Sequence, residues 1–141
     1  MKILLDTCTV SESLNPRGDQ NVKESVAGLK DADTFLSVLT IGEITKGISL
    51  LPEGRRRREI EHWLVGVEAR FQERILPIDT QVARIWGELS AQAQSRRERL
   101  PVADGLIAAT AVAHGLYVMT RNTKDFVSSG VLLINPWQGN E

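Results

Sequence analysis

Four acids from distant parts of this 141-residue chain are the residues best suited to chemistry. Asp6 ends the first predicted strand, and Asp125 lies in the loop after a later strand. Glu43 lies early in the helix that follows the second predicted strand, and Asp104 lies in the first turn of another helix. Because ligands bind beyond the carboxyl ends of the strands in open α/β sheets, we expect the four carboxylates to converge at one edge.

Clustered carboxylates repel one another, and burying them without compensation is costly. The usual compensation is a hard divalent cation, Mg²⁺ or Mn²⁺, which is bound through oxygen atoms and keeps some of its water. Such an ion suits phosphoester hydrolysis, because it polarises a phosphoryl oxygen, lowers the pKa of a bound water and offsets charge on the leaving oxygen. The pattern therefore predicts a catalytic metal site whose ligands are Asp6, Glu43, Asp104 and Asp125.

Each acid also has an ordinary structural interpretation when it is taken alone. Asp6 would bond to nearby backbone amides at the strand end, and Asp104 would stabilise a helix N-terminus. Glu43 would be a solvated helix residue, and Asp125 would order its loop. What favours a functional site is the edge of the sheet that all four are predicted to share.

The elements that position these acids alternate between strand and helix. Short runs that are apolar throughout predict four buried strands, at residues 2–5, 34–38, 116–120 and 131–134, and residues 75–78 form a brief extended piece. Apolar periodicity predicts helices at about 21–29, 40–50, 55–73, 79 or 80 to at least 89, and 101–114, with a shorter helix beginning at 11.

Residues at the predicted helix ends support these limits: Asn21 and Thr40 as N-caps, Pro101 as a first residue and Gly115 as a stop. Strands that alternate with helices predict an α/β fold with a parallel sheet. We expect a three-layer α/β/α sandwich around a short parallel central sheet, in one domain over residues 1–141.

Composition argues against two broad classes of protein. Lys and Arg number 17 against 18 Asp and Glu, so any binding of nucleic acid must come from a local patch or from metal ions. No apolar run reaches the ~18 residues that a membrane helix needs, so we expect no membrane partner. Cys8 is the only cysteine, which suits a reducing compartment, and we expect a cytoplasmic protein.

Five segments, in order along nearly the whole chain, carry a family resemblance: residues 4–12 (LLDTCTVSE), 37–44 (SVLTIGEI), 47–48 with 51–57 (GI and LPEGRRR), 101–111 (PVADGLIAATA) and 120–126 (TRNTKDF). The closing residues 133–137 (LINPW) add to it. The chain resembles the PIN-domain ribonucleases, in particular the VapC-type toxins of bacterial toxin–antitoxin pairs and their FitB-like branch. That resemblance implies a Mg²⁺- or Mn²⁺-dependent endoribonuclease, usually a homodimer, which a cognate antitoxin keeps silent. The RNA that such relatives attack is often transfer RNA.

The resemblance also implies roles for single residues. It gives metal-site positions to Asp6, Glu43 and Asp104. Many relatives have an acid where this chain has Asn122, so either Asp125 or a neutral oxygen of Asn122 completes the site. The candidates to orient water or contact a phosphate are Thr7, Thr120, Arg121 and Asn122.

Two further features are open to more than one interpretation. Cys8 stands where asparagine is common in the family, and a thiol cannot both donate and accept as an amide does. The four arginines at 55–58 oppose the dipole at a helix N-terminus, which favours contact with RNA phosphates or acidic antitoxin residues over simple solvation. Arg121 and Lys124 flank the proposed site, whereas Arg99 is expected to be solvated.

Two other classes of function stay open at this point. The first is an aspartate-based phosphatase or phosphoreceiver with Asp6 as nucleophile, although Cys8 stands where the haloacid-dehalogenase type needs a second acid. The second is a PIN-like module that only binds RNA or protein. Departures from the family pattern at Cys8 and Asn122 leave that second class open.

Overall fold

A five-stranded parallel sheet forms the centre of the computed structural model, which describes residues 1–138. The strands are β1 (Ile3–Leu5), β2 (Thr34–Ser37), β3 (Ile75–Leu76), β4 (Tyr117–Met119) and β5 (Leu133–Ile134). Their spatial order is β3-β2-β1-β4-β5, so β1 lies at the centre and the chain returns to both of its sides. The last three residues of the predicted domain, 139–141, lie outside the described residues.

Seven α-helices connect the strands within residues 1–138. They are α1 (Thr7–Leu14), α2 (Gln20–Ala27), α3 (Val38–Ser49), α4 (Arg55–Phe71), α5 (Thr80–Ser95), α6 (Val102–His114) and α7 (Thr123–Phe126). Short 3-10 turns at 31–33, 72–74, 127–129 and 136–138 complete the connections. In this part of the chain, no helix combines the length and the apolarity needed to cross a membrane.

The side chains of each strand alternate between two apolar cores. Ile3 and Leu5 of β1 pack on one side of the sheet with a cluster that includes Phe71 of α4. Leu4 points to the other side and packs with a cluster that includes Phe126 of α7. Helices α1 to α4 cover the first face, and α5 to α7 cover the second. The predicted α/β fold with three layers and a parallel central sheet is therefore confirmed.

The edge strand β3 and the start of α3 differ from the sequence prediction. The extended piece at 75–78 is shorter than expected, but Ile75 and Leu76 pair with β2 and add a fifth strand. Val38, predicted as the end of a strand, begins α3 because the Ser37 hydroxyl accepts a hydrogen bond from the Leu39 amide (3.0 Å). Thr40 is therefore not the cap, since the first turn of the helix has already formed when the chain reaches it.

Other helix limits also move by a few residues. Helix α1 begins at Thr7, not at Ser11, because Asp6 caps it. Asp19, not Asn21, caps α2. Pro101 lies just before the first residue of α6. Gly115 ends α6 as predicted, with a φ of 67° that glycine adopts without steric cost.

Gly105 lets α6 approach α5 at the indole of Trp86. A Cβ added at Gly105 would lie 3.0 Å from Trp86 Cδ1 and 3.1 Å from its Nε1. We expect Gly105→Ala to lower the free energy of unfolding by about 1–3 kcal/mol, because the ring must shift within a packed interface. Urea denaturation measures this change.

The matched control is Gly87→Ala in α5, where nothing lies within 4 Å of the added Cβ. There the substitution removes only glycine's backbone entropy, and we expect a gain of up to about 1 kcal/mol. If both variants were equally stable, the close packing at Gly105 would have no energetic consequence.

Candidate active site at the carboxyl edge of the sheet

Asp6 lies at the carboxyl end of β1, and its carboxylate is held from three directions. The Thr9 amide (3.0 Å) and the Cys8 thiol (2.9 Å) donate to Oδ1, and the Thr120 hydroxyl donates to Oδ2. The side chain is only 5% exposed. Asp6 therefore bonds to a nearby backbone amide and caps α1, which is its ordinary structural role. It also lies at the carboxyl edge of the sheet, where a metal ligand is expected.

Glu43 lies exposed in the second turn of α3 and reaches towards α1. The Thr7 hydroxyl donates to Glu43 Oε1 (2.7 Å), and its oxygen lies 3.2 Å from Thr40 Oγ1. A carboxylate only accepts hydrogen bonds, so Thr7 donates its single hydroxyl proton to Glu43. Thr7 in turn accepts a hydrogen bond from the Thr40 hydroxyl. Thr40, which sequence reasoning considered only as a cap, is thus a buried support behind the site.

Asp104 is the acid on which the charges of the other three act. Burial, followed by the negative charges of Asp125, Asp6 and Glu43, raises the pKa of Asp104 to about 6. A carboxylate in the first turn of a helix is ordinarily stabilised by the helix dipole, so burial and repulsion outweigh that effect here. The charges of Asp6, Glu43 and Asp125 therefore all reach Asp104, as expected if the four acids share this edge.

Asp125 and Asn122 occupy different positions at the entry to α7. Asp125 was predicted in a loop but lies within α7, half-buried, and its charge acts on Asp104. Asn122 lies exposed just before the helix, and its backbone amide donates to the Thr120 hydroxyl (3.0 Å). Of the two, Asp125 is the one that contributes charge to the acid cluster.

Cys8 acts as a hydrogen-bond donor at this edge. Burial, the charge of Asp6 and the hydrogen bond donated to Asp6 together raise the pKa of the Cys8 thiol to about 11. A thiol in that state is not a nucleophile at neutral pH. Cys8 therefore supplies the donating half of the role that an amide would fill, and it holds Asp6 Oδ1 in place.

The acid cluster offers the donors that a hard divalent cation prefers, since all four side chains end in carboxylate oxygens. Within residues 1–138, however, no three His, Cys, Asp or Glu side chains form a ready-made cage around one point. Mg²⁺ is commonly bound by one or two carboxylates and keeps several waters, so a full cage is not required. The repulsion around Asp104 is the interaction that a cation would relieve. The residues therefore fit Mg²⁺ or Mn²⁺.

A groove of about 540 Å³ runs beside Glu43, between α1, α3 and α4. Its lining is mainly apolar and includes Ile48, Leu51 and Trp63, with Arg56 at α4. The arginine patch at 55–58 is partly neutralised, because Arg55 pairs with Glu59 and Arg57 pairs with Glu61 (3.0 Å each). Arg56 is the arginine of this patch that lines the groove, and it forms none of these ion pairs.

Three basic residues lie near the acid cluster. The positive charge of Arg99 lowers the pKa of Asp104 and so opposes the effect of the other acids. Sequence reasoning expected Arg99 to be solvated, and the signal that marks it is its position just before the helix that carries Asp104. Arg121 lies exposed directly after the buried Thr120, with Lys124 exposed in α7.

Asp104 makes the free energy of unfolding depend on pH. Its folded-state pKa of about 6 lies above the ordinary 3.8, so the folded protein binds this proton more tightly than the unfolded chain does. The resulting stabilisation is complete below about pH 4 and is lost as the pH rises through about 6. In chelator, we expect Asp104→Asn and the wild type to have the same melting temperature near pH 4. At pH 7 the variant should melt ~2–4 °C higher, which corresponds to about 1 kcal/mol of unfolding free energy once solvent screening is allowed for.

Thermal melts of both proteins across this pH range measure the difference. Asp33→Asn is a suitable control, because Asp33 is also half-buried but lies before β2, at the opposite edge of the sheet. Equal midpoints for the wild type and Asp104→Asn at pH 7 would contradict the repulsion inferred at the cluster.

Comparison of the sequence with known proteins shows the family to which the chain belongs. The family model described as the PIN domain matches residues 3–128. The chain is 37% identical to toxin FitB from Neisseria gonorrhoeae over 136 residues, which cover 96% of this chain and 98% of FitB. It is also 37% identical to VapC ribonuclease Y4jK from Sinorhizobium fredii over 137 residues, again 96% of this chain and 98% of the relative.

The solved structure of FitAcB from Neisseria gonorrhoeae shares the fold. It matches with a TM-score of 0.91 at 37% identity, over 96% of this chain and 98% of the matched chain. The resemblance predicted from the five sequence segments is confirmed in family, in order and in extent. The chain belongs to the PIN-domain family, and its likeness to toxin FitB and VapC ribonuclease Y4jK spans nearly its whole length.

Proposed function

We propose that this protein is a ribonuclease toxin of a toxin–antitoxin pair, which hydrolyses RNA phosphodiesters with the help of Mg²⁺ or Mn²⁺. The observation that carries the proposal is the position of Asp104, where burial together with the charges of Asp125, Asp6 and Glu43 raises its pKa to about 6. The names of two relatives, toxin FitB and VapC ribonuclease Y4jK, support the nuclease activity and its use as a toxin.

Asp6, Glu43, Asp104 and Asp125 would hold the divalent cation through their carboxylate oxygens. When bound, the ion supplies an acidified water and offsets the charge that builds on the leaving oxygen. One of the carboxylates then accepts the proton of the attacking water. The Mg²⁺ or Mn²⁺ requirement and these residue roles are parts of the proposal.

The neighbouring hydroxyls and the thiol orient the acids. Thr120 and Cys8 each donate to a different oxygen of Asp6, and Thr7 donates to Glu43. Thr7 and Cys8 lie in α1 and Thr120 follows β4, so two separate parts of the fold orient the carboxylates before substrate binds. Such preorganisation lowers the cost of reaching the transition state.

We further propose three partners: an RNA substrate, for which transfer RNA is the first candidate to test; a cognate antitoxin; and a second copy of the chain. The toxin name of FitB supports the antitoxin. The apolar groove beside Glu43, with Arg56 on its wall, is a surface that an antitoxin segment with apolar and acidic side chains would fit. The cytoplasm, predicted from the single cysteine, is where such a toxin would meet RNA.

Cleavage of total cellular RNA by the purified, antitoxin-free protein tests the function. We expect discrete fragments in Mg²⁺ or Mn²⁺ and none in chelator. The same samples should show a rise in melting temperature on addition of Mn²⁺, since an ion that binds only the folded state stabilises it. A folded protein that is stabilised by Mn²⁺ but cleaves no RNA would instead be a binding module.

Phosphotransfer through Asp6 is disfavoured by the geometry of that residue. Its side chain is 5% exposed, and both of its oxygens already accept hydrogen bonds from Thr9, Cys8 and Thr120. A nucleophile must reach the phosphorus atom in line with the leaving group, which a carboxylate held in this way does not do. Trapping an aspartyl-phosphate on Asp6 would overturn this conclusion.

A further inference from the structure

The turn at residues 135–138 places an aromatic ring against Arg121, beside the acid cluster. We propose that the indole of Trp137 positions the guanidinium of Arg121 to bind an RNA phosphate, an inference that rests on the proposed ribonuclease function. Arg121 is then the contact residue, and Trp137 is a positioning residue that acts through it.

The sheet topology brings these two residues together. Strand β5 pairs parallel with β4, and the Thr120 amide donates to the Ile134 carbonyl (2.9 Å) at the end of that pairing. Both strands therefore release the chain at the carboxyl edge, where the acids lie. The Arg121 Cζ atom stands 5.7 Å from the centre of the Trp137 ring, within the range of a cation–π contact.

Trp137 is anchored on its own side of this contact. Its backbone amide donates to the Asn135 side chain (2.9 Å), which closes a tight turn around the buried Pro136. The Asn21 side chain of α2 donates to the Trp137 carbonyl (3.4 Å) and joins the turn to a second element. The backbone that carries the ring is therefore held at both its amide and its carbonyl.

Arg121 is anchored at its backbone to the site itself. It lies between Thr120, whose hydroxyl donates to Asp6, and Asn122, whose backbone amide donates back to that same hydroxyl. Its side chain is exposed, and among residues 1–138 it enters none of the ion pairs. In contrast to Arg55 and Arg57, its charge is thus available to a ligand.

The cation–π contact leaves the hydrogen-bonding capacity of Arg121 intact. Stacking uses the flat face of the guanidinium, whereas all five N–H donors radiate from its edge. A stacked arginine therefore still presents a fork to the oxygens of a phosphate, and it has already lost much of the rotamer freedom that binding would remove. Next to a cluster of carboxylates, such a cation also attracts an anionic strand that the acids would otherwise repel.

Substrate affinity and turnover separate this role from a structural one. We expect Arg121→Ala to raise the KM for RNA about tenfold with kcat changed little, and Arg121→Lys to fall between it and the wild type. Trp137→Leu should raise KM about threefold, while Trp137→Phe, which keeps an aromatic face, should restore most of the loss. Lys2→Ala is the charge control, because Lys2 lies before β1 at the opposite edge of the sheet.

The decisive comparison is Trp137→Leu in the Arg121→Ala background. If Trp137 acts through Arg121, the second substitution adds no further rise in KM. A full, additive effect of Trp137→Leu in that background would overturn the proposal, since the ring would then contact RNA or support the fold by itself. An unchanged KM in Arg121→Ala would overturn it as well.

Binding is measured separately, so that failure of the nuclease function is recognised. Anisotropy of a short fluorescein-labelled RNA of mixed sequence is recorded with Asp104→Asn and with the same variant carrying Arg121→Ala. If the wild type cleaves no RNA but Arg121→Ala still weakens binding about tenfold, the ribonuclease function fails and the phosphate contact stands. If cleavage is normal and neither KM nor binding changes, only the role of Arg121 and Trp137 fails.

Discussion

Asp104→Asn is expected to reduce RNA cleavage by more than about 100-fold while the protein stays folded. Even residues behind a metal ligand change affinity or activity by about 10–100-fold when they are removed, and Asp104 is proposed to touch the ion directly. The amide has nearly the same shape as the carboxylate but lacks its charge, so the cation loses one ligand and α6 keeps its packing.

The rate of cleavage in saturating Mn²⁺ measures this loss, with circular dichroism to establish folding. Asp33→Asn, a neutralisation of the same kind at the opposite edge of the sheet, should cleave at the wild-type rate. If Asp104→Asn cleaved RNA as fast as Asp33→Asn, the acid cluster would not be the catalytic centre.

Asp6→Ala is expected to lower the free energy of unfolding by about 2–4 kcal/mol in addition to removing activity. Loss of the cap of α1 accounts for about 1 kcal/mol. The Thr120 hydroxyl and the Cys8 thiol also lose their acceptor in a buried place, at about 1–3 kcal/mol for a neutral donor left without a partner. Relief of the repulsion between Asp6 and Asp104 offsets part of this sum.

Urea denaturation of Asp6→Ala beside Asp79→Ala isolates the contribution of the site. Asp79 caps α5 in the same way, accepting from the Val82 backbone amide (2.9 Å), and among residues 1–138 no side chain donates to it. The control should therefore lose only about 1 kcal/mol. Equal losses in the two variants would show that the hydrogen bonds from Thr120 and Cys8 add nothing to stability.

Local pattern and topology together were sufficient to predict the layers and the shared edge. An apolar run that stops at Asp6 is a buried strand with an acid at its carboxyl end, and parallel strands bring such ends together. Residues 75–78 were predicted as an extended piece but not as a strand of the sheet, because the two residues of β3 are too few for a pattern. Asp125 was placed in a loop for the same reason, since α7 has only four residues.

Contacts between distant residues set the limit of the sequence prediction at the site. The hydrogen bond from Thr120 to Asp6 joins residues 114 positions apart, and the one from Thr7 to Glu43 spans 36 positions. Thr7 and Thr120 were proposed as contacts for water or phosphate, yet which acid each would hold depends on side-chain directions that spacing does not encode. The effect of Arg99 on Asp104 likewise depends on how the chain turns into α6.

Asp104 and Asp6 are held differently in the fold, and this affects how such a toxin would lose its activity by mutation. A change at Asp104 removes a source of repulsion, so the inactive product folds at least as well as its parent and remains in the cell at full abundance. A change at Asp6 removes the cap of α1 and leaves the buried Thr120 hydroxyl and the half-buried Cys8 thiol without their acceptor, so its product is exposed to proteolysis. Lineages that lose the activity but keep the protein as an antitoxin-binding decoy should therefore have lost Asp104 before Asp6.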